Sequence, residues 1–560
     1  MGTGHVAILK GNLTEWLLGP AGLPMPVGCS ELTRGAGLCL YGKVALLPGG
    51  AKYQLQRRRD CVDILTDPVA YGDIGAPPLL SMVRMRPDMV ELATDWLGAS
   101  KVYYTKTDQG LVASSSLRWL SEWLGRRADI SAWCDIAVQD QGFAPLGVAT
   151  YVPDVQILPE QGRLTYRNGQ LTLQGGADLT AVMAPDLTPA QIEDRLEEVV
   201  ADLLAWRARH SDRPLFLGSS AGFDSRVLAA LFRPQGIRNL ALYTYPRNPP
   251  FDALVSRAMG AVLRAPVHRL SLRMTDPSLD ALTQFARQKD VMARPYSTVL
   301  DLAVERALTP VLPPEAEILS GNGGDVEWGR KAFRKVFLAD DPATALAEKI
   351  VSGTTSLLRD EYVQDLTARV RAALIEKYPF DDPTRYDRVE RALFFHERVR
   401  VMQSDTRSCG RTIHMPFLAR SFVDLALTVP DALTDKGQQG SLHHRLTERL
   451  GGRAFAMIPT LRERDWPQSR IAHLADRAMS SSYYRLRRRN RHSDTNRALR
   501  AASAASLLKT LAPRIRDAQS SGLWTCLDRT RVEAGLQAGT LDEKDQAFLV
   551  NAAAVLDGVI

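Results

Sequence analysis

Two short stretches of the chain combine small residues with hydroxyl and carboxylate side chains in a way that suits phosphate chemistry. The first, residues 215–226, reads LFLGSSAGFDSR, an apolar run followed at once by a loop of small residues and a predicted helix. Backbone N–H groups at such a helix N-terminus attract anions, and small residues let the backbone approach a phosphate. Ser220 and Ser225 can donate hydroxyl hydrogen bonds, and Asp224 can hold Mg²⁺ beside phosphates. The alternative is an ordinary strand–helix turn, since the stretch lacks the P-loop pattern GxxxxGK[ST].

The second stretch, residues 318–329, reads ILSGNGGDVEWG and places three glycines in four positions before an acidic residue. Such glycines indicate backbone that lies against a ligand or adopts a left-handed conformation, although a plain turn would also use them. Ligands of parallel sheets bind beyond the carboxyl ends of the strands. If both stretches follow strands of one such sheet, we expect Asp224 and Asp325 to converge on one metal ion.

The elements that must position these loops can be read from the hydrophobic pattern. Residues 1–180 have short apolar runs between Gly and Pro, with a hairpin indicated at Asn168-Gly169 and a short helix at 116–124. From residue 190, helices and strands alternate, which indicates a parallel α/β sheet. The predicted elements are a helix at 190–209, a strand at 214–218, a helix at 226–232, a strand at 240–245, a helix at 252–263 and a strand at 267–272. Beyond residue 340 the pattern is mainly helical.

The length, charge and cysteine content of the chain indicate which classes of protein it can belong to. A chain of 560 residues with 45% apolar and 24% charged residues is typical of a globular protein of two to four domains. The net charge of +7 favours an anionic ligand but is too small to indicate nucleic acid. The six cysteines form no CxxC pair, so we expect neither a zinc site nor a redox dithiol, and their sparse placement fits a reducing compartment. The chain has no apolar run of 18 residues and no basic signal region, so we expect a cytoplasmic protein without a membrane span.

Three motifs carry a resemblance to known families. Residues 220–225 (SAGFDS) resemble the SGGxDS pyrophosphate loop of ATP pyrophosphatases, and residues 319–325 (LSGNGGD) resemble the LSGxGGDE element of the asparagine synthetase family. Residues 414–423 are similar to that family's R-x-P-F-L-D segment. The order and spacing agree over about residues 190–470. Ala221 replaces a loop glycine and Val326 replaces a glutamate, but both presumed metal carboxylates are kept.

The resemblance implies a fold and a site. It implies a β-rich, Ntn-hydrolase-like sandwich domain over residues 1–180. An adenine-nucleotide α-hydrolase-like synthetase domain with a parallel sheet and a helical C-terminal part then covers 190–560. The residues that it assigns to ATP and pyrophosphate are Leu217, Ser219, Ser220, Ala221, Gly222, Phe223, Asp224, Ser225, Tyr243, Ser320, Gly321, Asn322 and Gly323, and those that it assigns to Mg²⁺ are Asp224 and Asp325. Glutaminases of this family use an N-terminal cysteine as the nucleophile, but residue 2 here is Gly2, so no glutamine hydrolysis is expected.

The resemblance also implies a reaction, in which a substrate carboxylate attacks the α-phosphorus of ATP and an amine then attacks the acyl adenylate. Without a glutaminase, the amine is expected to belong to the substrate, because holding both groups together lowers the entropic cost. Lasso peptide cyclases and β-lactam synthetases both use this logic. Asn322 stands where β-lactam synthetases carry a tyrosine, which favours the cyclase. Glu397 is a candidate for the family's glutamate, and Arg462 and Arg464 replace its late lysine.

The first hypothesis is therefore an ATP- and Mg²⁺-dependent ligase that closes an isopeptide macrolactam in a leader-processed precursor peptide. A leader-binding protein and a leader peptidase are the expected partners, and the basic segment 485–491 suits a peptide or protein partner. The alternatives are a small-molecule amide or β-lactam synthetase, or an ammonia-dependent asparagine synthetase homologue. A non-catalytic binding protein that keeps the fold is the third possibility.

Overall fold

The N-terminal part of the chain forms two antiparallel sheets in this computed structural model. The structure describes residues 6–10, 12–20, 30–35, 38–45, 52–58, 61–65, 82–85, 88–94, 101–137, 150–175, 187–188, 190–195, 197–198, 214–222, 224–235, 239–245, 251–271, 281, 298–313, 316–321, 324, 336–352, 355–393, 413–418, 420–427, 442–456, 458, 513, 515, 522–542, 545, 548–549 and 551–552. The N-terminal strands are β1 (Val6–Lys10), β2 (Asn12–Pro20), β3 (Ser30–Gly35), β4 (Leu38–Ala45), β5 (Lys52–Arg58), β6 (Cys61–Leu65), β7 (Met82–Met85), β8 (Met89–Ala93), β9 (Tyr103–Thr107), β10 (Gly110–Ser114), β11 (Gln156–Ile157), β12 (Arg163–Arg167) and β13 (Gln170–Gln174). One sheet has seven strands in the order β1-β5-β6-β7-β8-β12-β13, and the other has six in the order β11-β9-β10-β2-β4-β3.

The predicted hairpin at Asn168-Gly169 is confirmed. Arg167 pairs with Gln170, so only two residues connect β12 to β13. Asn168 has φ of 51° and Gly169 has φ of 75°, and both positive angles belong to the tight turn that matches the twist of paired strands. The short helix predicted at 116–124 is also present, as α1 (Leu117–Leu124), and α2 (Ile130–Ala137) follows it.

The predicted parallel sheet is confirmed, which makes the chain a mixed α/β protein. Its strands are β14 (Leu215–Gly218), β15 (Leu240–Thr244), β16 (Val267–Arg269), β17 (Glu317–Leu319) and β18 (Ile413–His414), in the order β16-β15-β14-β17-β18 with every neighbouring pair parallel. The helices between them are α3 (Asp224–Gln235), α4 (Phe251–Leu263) and α5 (Thr298–Leu308). Both faces of the sheet are buried: Leu217 packs on one face with α3, and Phe216 on the other with Leu308. Burial on both faces explains why β14 is a continuous apolar run. The edge strand β18 lies in the region for which a mainly helical pattern is predicted.

Helices dominate the described part of the chain beyond residue 340. They are α6 (Pro342–Ser352), α7 (Asp360–Lys377), α8 (Tyr386–Leu393), α9 (Arg420–Ala426), α10 (Leu442–Ala456), α11 (Leu523–Cys526) and α12 (Arg529–Ala538). Within the described residues, no helix is long and apolar enough to cross a membrane. One buried core contains Trp133 of α2 together with Leu346, Leu366 and Phe548 from this helical part. The division into domains at residues 180–190 stays a prediction.

Asp545, near the C-terminal end of the chain, is a buried carboxylate that accepts three hydrogen bonds. Asp545 is 4% exposed. It accepts hydrogen bonds from the Thr355 hydroxyl at 2.6 Å, the Ser356 hydroxyl at 2.8 Å and the Ser356 amide at 2.8 Å.

We expect Asp545→Ala to lower the free energy of unfolding by about 3 kcal/mol, because three donors lose a charged acceptor. Urea denaturation measures this. The control Asp542→Ala removes an exposed carboxylate that accepts from the Asp545 amide, and its cost should stay below about 1 kcal/mol. Equal midpoints for the two variants would contradict the assignment.

Candidate functional site

The two glycine-containing loops leave the parallel sheet side by side. β14 is paired with β17, with Leu217 opposite Leu319, and on its other side with β15, where Gly218 is opposite Tyr243. All three strands are parallel, so their carboxyl ends lie at one edge of the sheet. The loops that begin at Ser219 and Ser320 therefore start from adjacent strands, as the sequence predicts.

Two glycines of the second loop contact Asp224, the first residue of α3. A methyl group on Gly324 would lie 2.8 Å from both Cγ and Oδ1 of Asp224, which is closer than carbon and oxygen atoms pack. A methyl group on Gly321 would lie 3.1 Å from the Asp224 Cβ and 3.2 Å from the Ser225 amide nitrogen. Glycine at these positions is thus required for close approach of the second loop to the start of α3. The Gly324 amide donates to the Gly321 carbonyl at 3.2 Å, which closes the turn.

The backbone amides of the first loop donate to side chains of the protein. The Ser220 amide donates to the Ser225 hydroxyl at 3.2 Å, and the Gly222 amide donates to the Ser220 hydroxyl at 3.1 Å. The Ala221 amide donates to Oδ1 of Asp252, the second residue of α4, at 2.8 Å. The three loop amides that the sequence predicts to bind an anion are therefore already hydrogen-bonded to acceptors within the chain. Two of them are serine hydroxyls at long distances, and a hydroxyl can rotate away from an amide that finds a stronger acceptor.

Some residues that the resemblance assigns to ATP have buried side chains. Leu217 is 0% exposed and Ala221 is 1% exposed, and both belong to the core against α3. The Ser219 hydroxyl donates to the Tyr243 carbonyl and contacts the Ser256 hydroxyl at 2.8 Å. The side chains of these three residues are therefore not available to a ligand. The side chains of Ser220, Asp224, Tyr243 and Ser320 are partly exposed and can be reached.

Two residues that sequence reasoning did not single out hold this loop in place. Asp252 is 2% exposed and binds the Ala221 amide. Arg226, in the first turn of α3, is 1% exposed and donates to the Ile458 carbonyl, which attaches the start of the helix to a distant segment. The signal for Arg226 was a charged residue on the apolar face of a predicted helix. Asp252 looked like an ordinary acidic residue of a helix first turn.

The remaining predicted site residues are untested. Phe223, Asn322, Gly323, Asp325, Glu397, Arg462 and Arg464 lie outside the described residues. Where the structure does describe the chain, no group of three or more His, Cys, Asp or Glu side chains could hold a metal ion.

The role of Asp252 leads to a prediction. Asp252→Ala should lower the free energy of unfolding by about 1–3 kcal/mol, because the buried Ala221 amide loses its acceptor. If the loop binds the phosphates of ATP, as the resemblance implies, the affinity for MgATP should also fall about tenfold, because an amide that is not held in place must be ordered on binding. Asp252→Asn keeps a carbonyl oxygen and should restore most of both. Urea denaturation and titration with MgATP measure the two effects. Wild-type values for Asp252→Ala would show that the hydrogen bond does not organise the loop.

Comparisons with known proteins add little. No family model matches the chain, and no curated protein matches it. Among solved structures, the chain has a distant similarity to a glutamine phosphoribosylpyrophosphate (PRPP) amidotransferase from B. subtilis complexed with ADP and GMP. That similarity has 10% identity and a TM-score of 0.17, and it covers 56% of this chain and 76% of the other. A TM-score this low supports no argument about fold or function.

Proposed function

We propose that this chain is an ATP-dependent carbon–nitrogen ligase that adenylates a carboxylate and joins it to an amine, with release of AMP and pyrophosphate. The observation that carries the proposal is the contact of Gly321 and Gly324 with Asp224 at the carboxyl edge of the parallel sheet. An ordinary turn between a strand and a helix would not require a second glycine-rich loop to lie against the Asp224 carboxylate. Two such loops from adjacent strands form a site where backbone, hydroxyl groups and a carboxylate face one ligand.

The hydrogen bonds of the first loop support the proposal that it binds phosphate. The Ser220 and Gly222 amides donate to serine hydroxyls at 3.1–3.2 Å. Phosphate oxygens are charged and form stronger bonds with an amide than a hydroxyl oxygen does. When a phosphate enters, the Ser220 and Ser225 hydroxyls become donors to it, and the amides at the N-terminus of α3 add to the attraction. The Ala221 amide stays with Asp252 and keeps the loop in shape.

The residues present fit a magnesium ion that accompanies ATP. The carboxylate oxygens of Asp224 can coordinate a metal ion. Asp224 is the first residue of α3 and is partly exposed, and Gly324, which lies against its carboxylate, has no side chain. Protein sites for Mg²⁺ beside nucleotides use one or two carboxylates and complete the coordination with phosphates and water. Asp224 and Asp325 are the proposed ligands. When bound, the ion neutralises charge on the phosphates as pyrophosphate departs.

The remaining chemistry falls to residues whose roles rest on the resemblance. Arg462 and Arg464 would bind phosphate oxygens, since a guanidinium group can donate two parallel hydrogen bonds. Glu397 would accept the proton of the attacking amine. The first loop would hold the pyrophosphate during adenylation. The substrate carboxylate and amine would belong to one molecule, because their proximity replaces an unfavourable collision with an intramolecular step.

The proposed substrate is a leader-processed peptide, closed between its N-terminal amine and an Asp or Glu side chain, as in lasso peptides. The net charge of +7 and the arginines of 485–491 favour a peptide or protein partner over a small amino acid. A leader-binding protein and a leader peptidase would supply the processed substrate.

Mass spectrometry after incubation with ATP, Mg²⁺ and candidate substrates tests the proposal. Loss of one water from a peptide together with formation of AMP is the expected result. AMP formation with a small carboxylate only would keep the ligase and exclude the peptide. Asparagine formed from ammonia would replace the proposal with an asparagine synthetase homologue. MgATP binding without AMP formation from any carboxylate would leave a binding protein.

A further inference from the structure

A group of polar side chains lies at the edge of the core where three helices meet, far in sequence from the loops of the proposed ATP site. We call it the thiol cluster. Its members are Ser131, Cys134 and Asp135 of α2, Tyr362 and Arg369 of α7, and Thr525 and Cys526 of α11. Cys134 and Cys526 are free thiols, and both are buried among the apolar side chains of one core.

The two thiols of the cluster lie on helices that pack against each other. Cys134 and Cys526 are both fully buried in one core, where α2 contacts α11. The Cys526 Sγ lies 3.8 Å from the Ser131 hydroxyl, one helical turn before Cys134 on the same face of α2. The close approach of the two helices depends on Gly522, where a methyl group would lie 2.9 Å from Cγ2 of Ile130. Ser131 and Cys526, which are 395 positions apart, thus meet here, and no local CxxC pattern could reveal that α2 and α11 are neighbours.

Charged hydrogen bonds of Asp135, the residue after Cys134, stabilise the packing of α2 against α7. Asp135 accepts from the Tyr362 hydroxyl at 2.5 Å, and from Arg369 at 2.6 Å and 3.0 Å. This bidentate pair fixes α2 against α7 and limits how far Cys134 can move. On the other helix, the Thr525 hydroxyl donates to the Gly522 carbonyl and lies 3.5 Å from the Cys526 Sγ.

The surroundings distinguish the two sulfurs. The neighbouring Cys134 thiol is the largest cause that lowers the pKa of Cys526, to about 7, against the opposing effect of burial. Burial and the neighbouring Cys526 raise the pKa of Cys134 well above its usual range. The directions of the two shifts favour Cys526 over Cys134 as the sulfur that ionises. Thr525 is exposed, and Ser131 and Tyr362 are half-buried, so Cys526 has neighbours at the protein surface.

We propose that Cys134 and Cys526 are an oxidisable thiol pair, which hydrogen peroxide converts into a reversible intramolecular disulfide. The Cys526 sulfur attacks the peroxide: an S–O bond forms, the O–O bond breaks, and hydroxide leaves with the proton of the thiol as water. The Cys134 sulfur then attacks the Cys526 sulfur: an S–S bond forms, the S–O bond breaks, and the departing hydroxyl takes the Cys134 proton as a second water. Two thiols lose two electrons, and one hydrogen peroxide gains them.

The bond would join α2, in the N-terminal part, to α11, near the end of the chain. It would close a loop that includes the parallel sheet and both glycine-containing loops. Oxidation therefore restricts how the N-terminal part and the C-terminal helices can separate. The inference does not depend on the ligase proposal, because it concerns two side chains that the ATP site does not use.

Peptide-resolved mass spectrometry of the full-length protein tests the pair. The protein is treated with increasing hydrogen peroxide, the remaining thiols are alkylated in denaturant, and the digest is analysed without reductant. We expect the peptides of Cys134 and Cys526 to lose alkylation in parallel and to appear as one linked species, which dithiothreitol restores to two alkylated peptides. The oxidised chain should also migrate faster on a non-reducing gel. If both cysteines stay alkylated while others oxidise, or if either links to a different cysteine, the proposal is wrong.

Two variants separate the roles of the sulfurs. In Cys134→Ser, the linked species should vanish and Cys526 should accumulate as a sulfenic acid that reacts with dimedone. In Cys526→Ser, Cys134 should remain fully alkylated after the same treatment. Oxidation of Cys134 in that variant would overturn the assignment of Cys526 as the sulfur that attacks peroxide. The wild-type digest tests the pair even if neither variant folds.

Discussion

Asp224→Asn is expected to lower ATP–pyrophosphate exchange by at least about 100-fold, because in the proposed mechanism this carboxylate faces the departing pyrophosphate and its magnesium ion, and the variant makes it a neutral amide. Asparagine has nearly the shape of aspartate, so the contacts with Gly321 and Gly324 should survive. Exchange is measured with a carboxylate substrate that supports turnover. A second measurement needs no substrate: the increase in the unfolding temperature with MgATP should be present in the wild type and lost in the variant.

The control for this prediction is Glu348→Gln, which neutralises an exposed carboxylate on α6 and should change neither measurement. Asp325→Ala should match Asp224→Asn if both residues bind one ion. Circular dichroism and the unfolding temperature without ligand should be close to wild type in all three variants. Undiminished exchange in both Asp224→Asn and Asp325→Ala would show that neither carboxylate binds the metal.

Gly324→Ala is expected to reduce exchange at least about tenfold and to lower the free energy of unfolding by about 1–3 kcal/mol. The added methyl group would overlap Cγ and Oδ1 of Asp224 at 2.8 Å and its Cβ at 2.9 Å. A contact this short must push the second loop away from α3, and overpacking of a tight site carries a cost of that size. The loss of activity comes from separation of the two loops, since a displacement near 1 Å at a reacting centre lowers rates strongly.

The matched control is Gly222→Ala in the first loop. Its methyl group would meet only the Ser220 hydroxyl, at 3.1 Å, and a hydroxyl can rotate away. Gly222→Ala should therefore cost less stability than Gly324→Ala. Exchange and urea denaturation are measured for both. Wild-type exchange in Gly324→Ala would mean that the contact between the loops plays no part in activity, which would remove the main support for the proposed function.

The larger part of the fold around the site followed from local pattern. Apolar runs of strand length alternate with helical periodicity after residue 214, and short connections between such elements produce a parallel sheet. The observed strands Leu215–Gly218 and Leu240–Thr244 match the predicted ones to within a residue at each end. Strand β18 escaped prediction because two residues carry no periodicity. Its position is set by the pairing of Ile413 with Ile318 at the edge of the sheet.

The candidate site was predictable in composition but not in its hydrogen bonds. Small residues after β14 indicated a loop that approaches a ligand, and the glycines after β17 indicated close contact. The sequence could not reveal that Asp252 binds the Ala221 amide, or that serine hydroxyls bind the other two amides. Asp252 comes from the next helix, and its partner depends on how that helix packs on the sheet.

The difference between these cases has a physical reason. Strand and helix periods, turn residues and the need for glycine in a tight loop act over a few residues, so the chain specifies them locally and they can be read from it. The meeting of Gly324 with Asp224, and of Cys526 with Ser131 of α2, depends on the packing of whole elements against one another. From their spacing alone, the cysteines predicted no redox dithiol. The fold brings two of them together because α2 and α11 bury their apolar faces in one core.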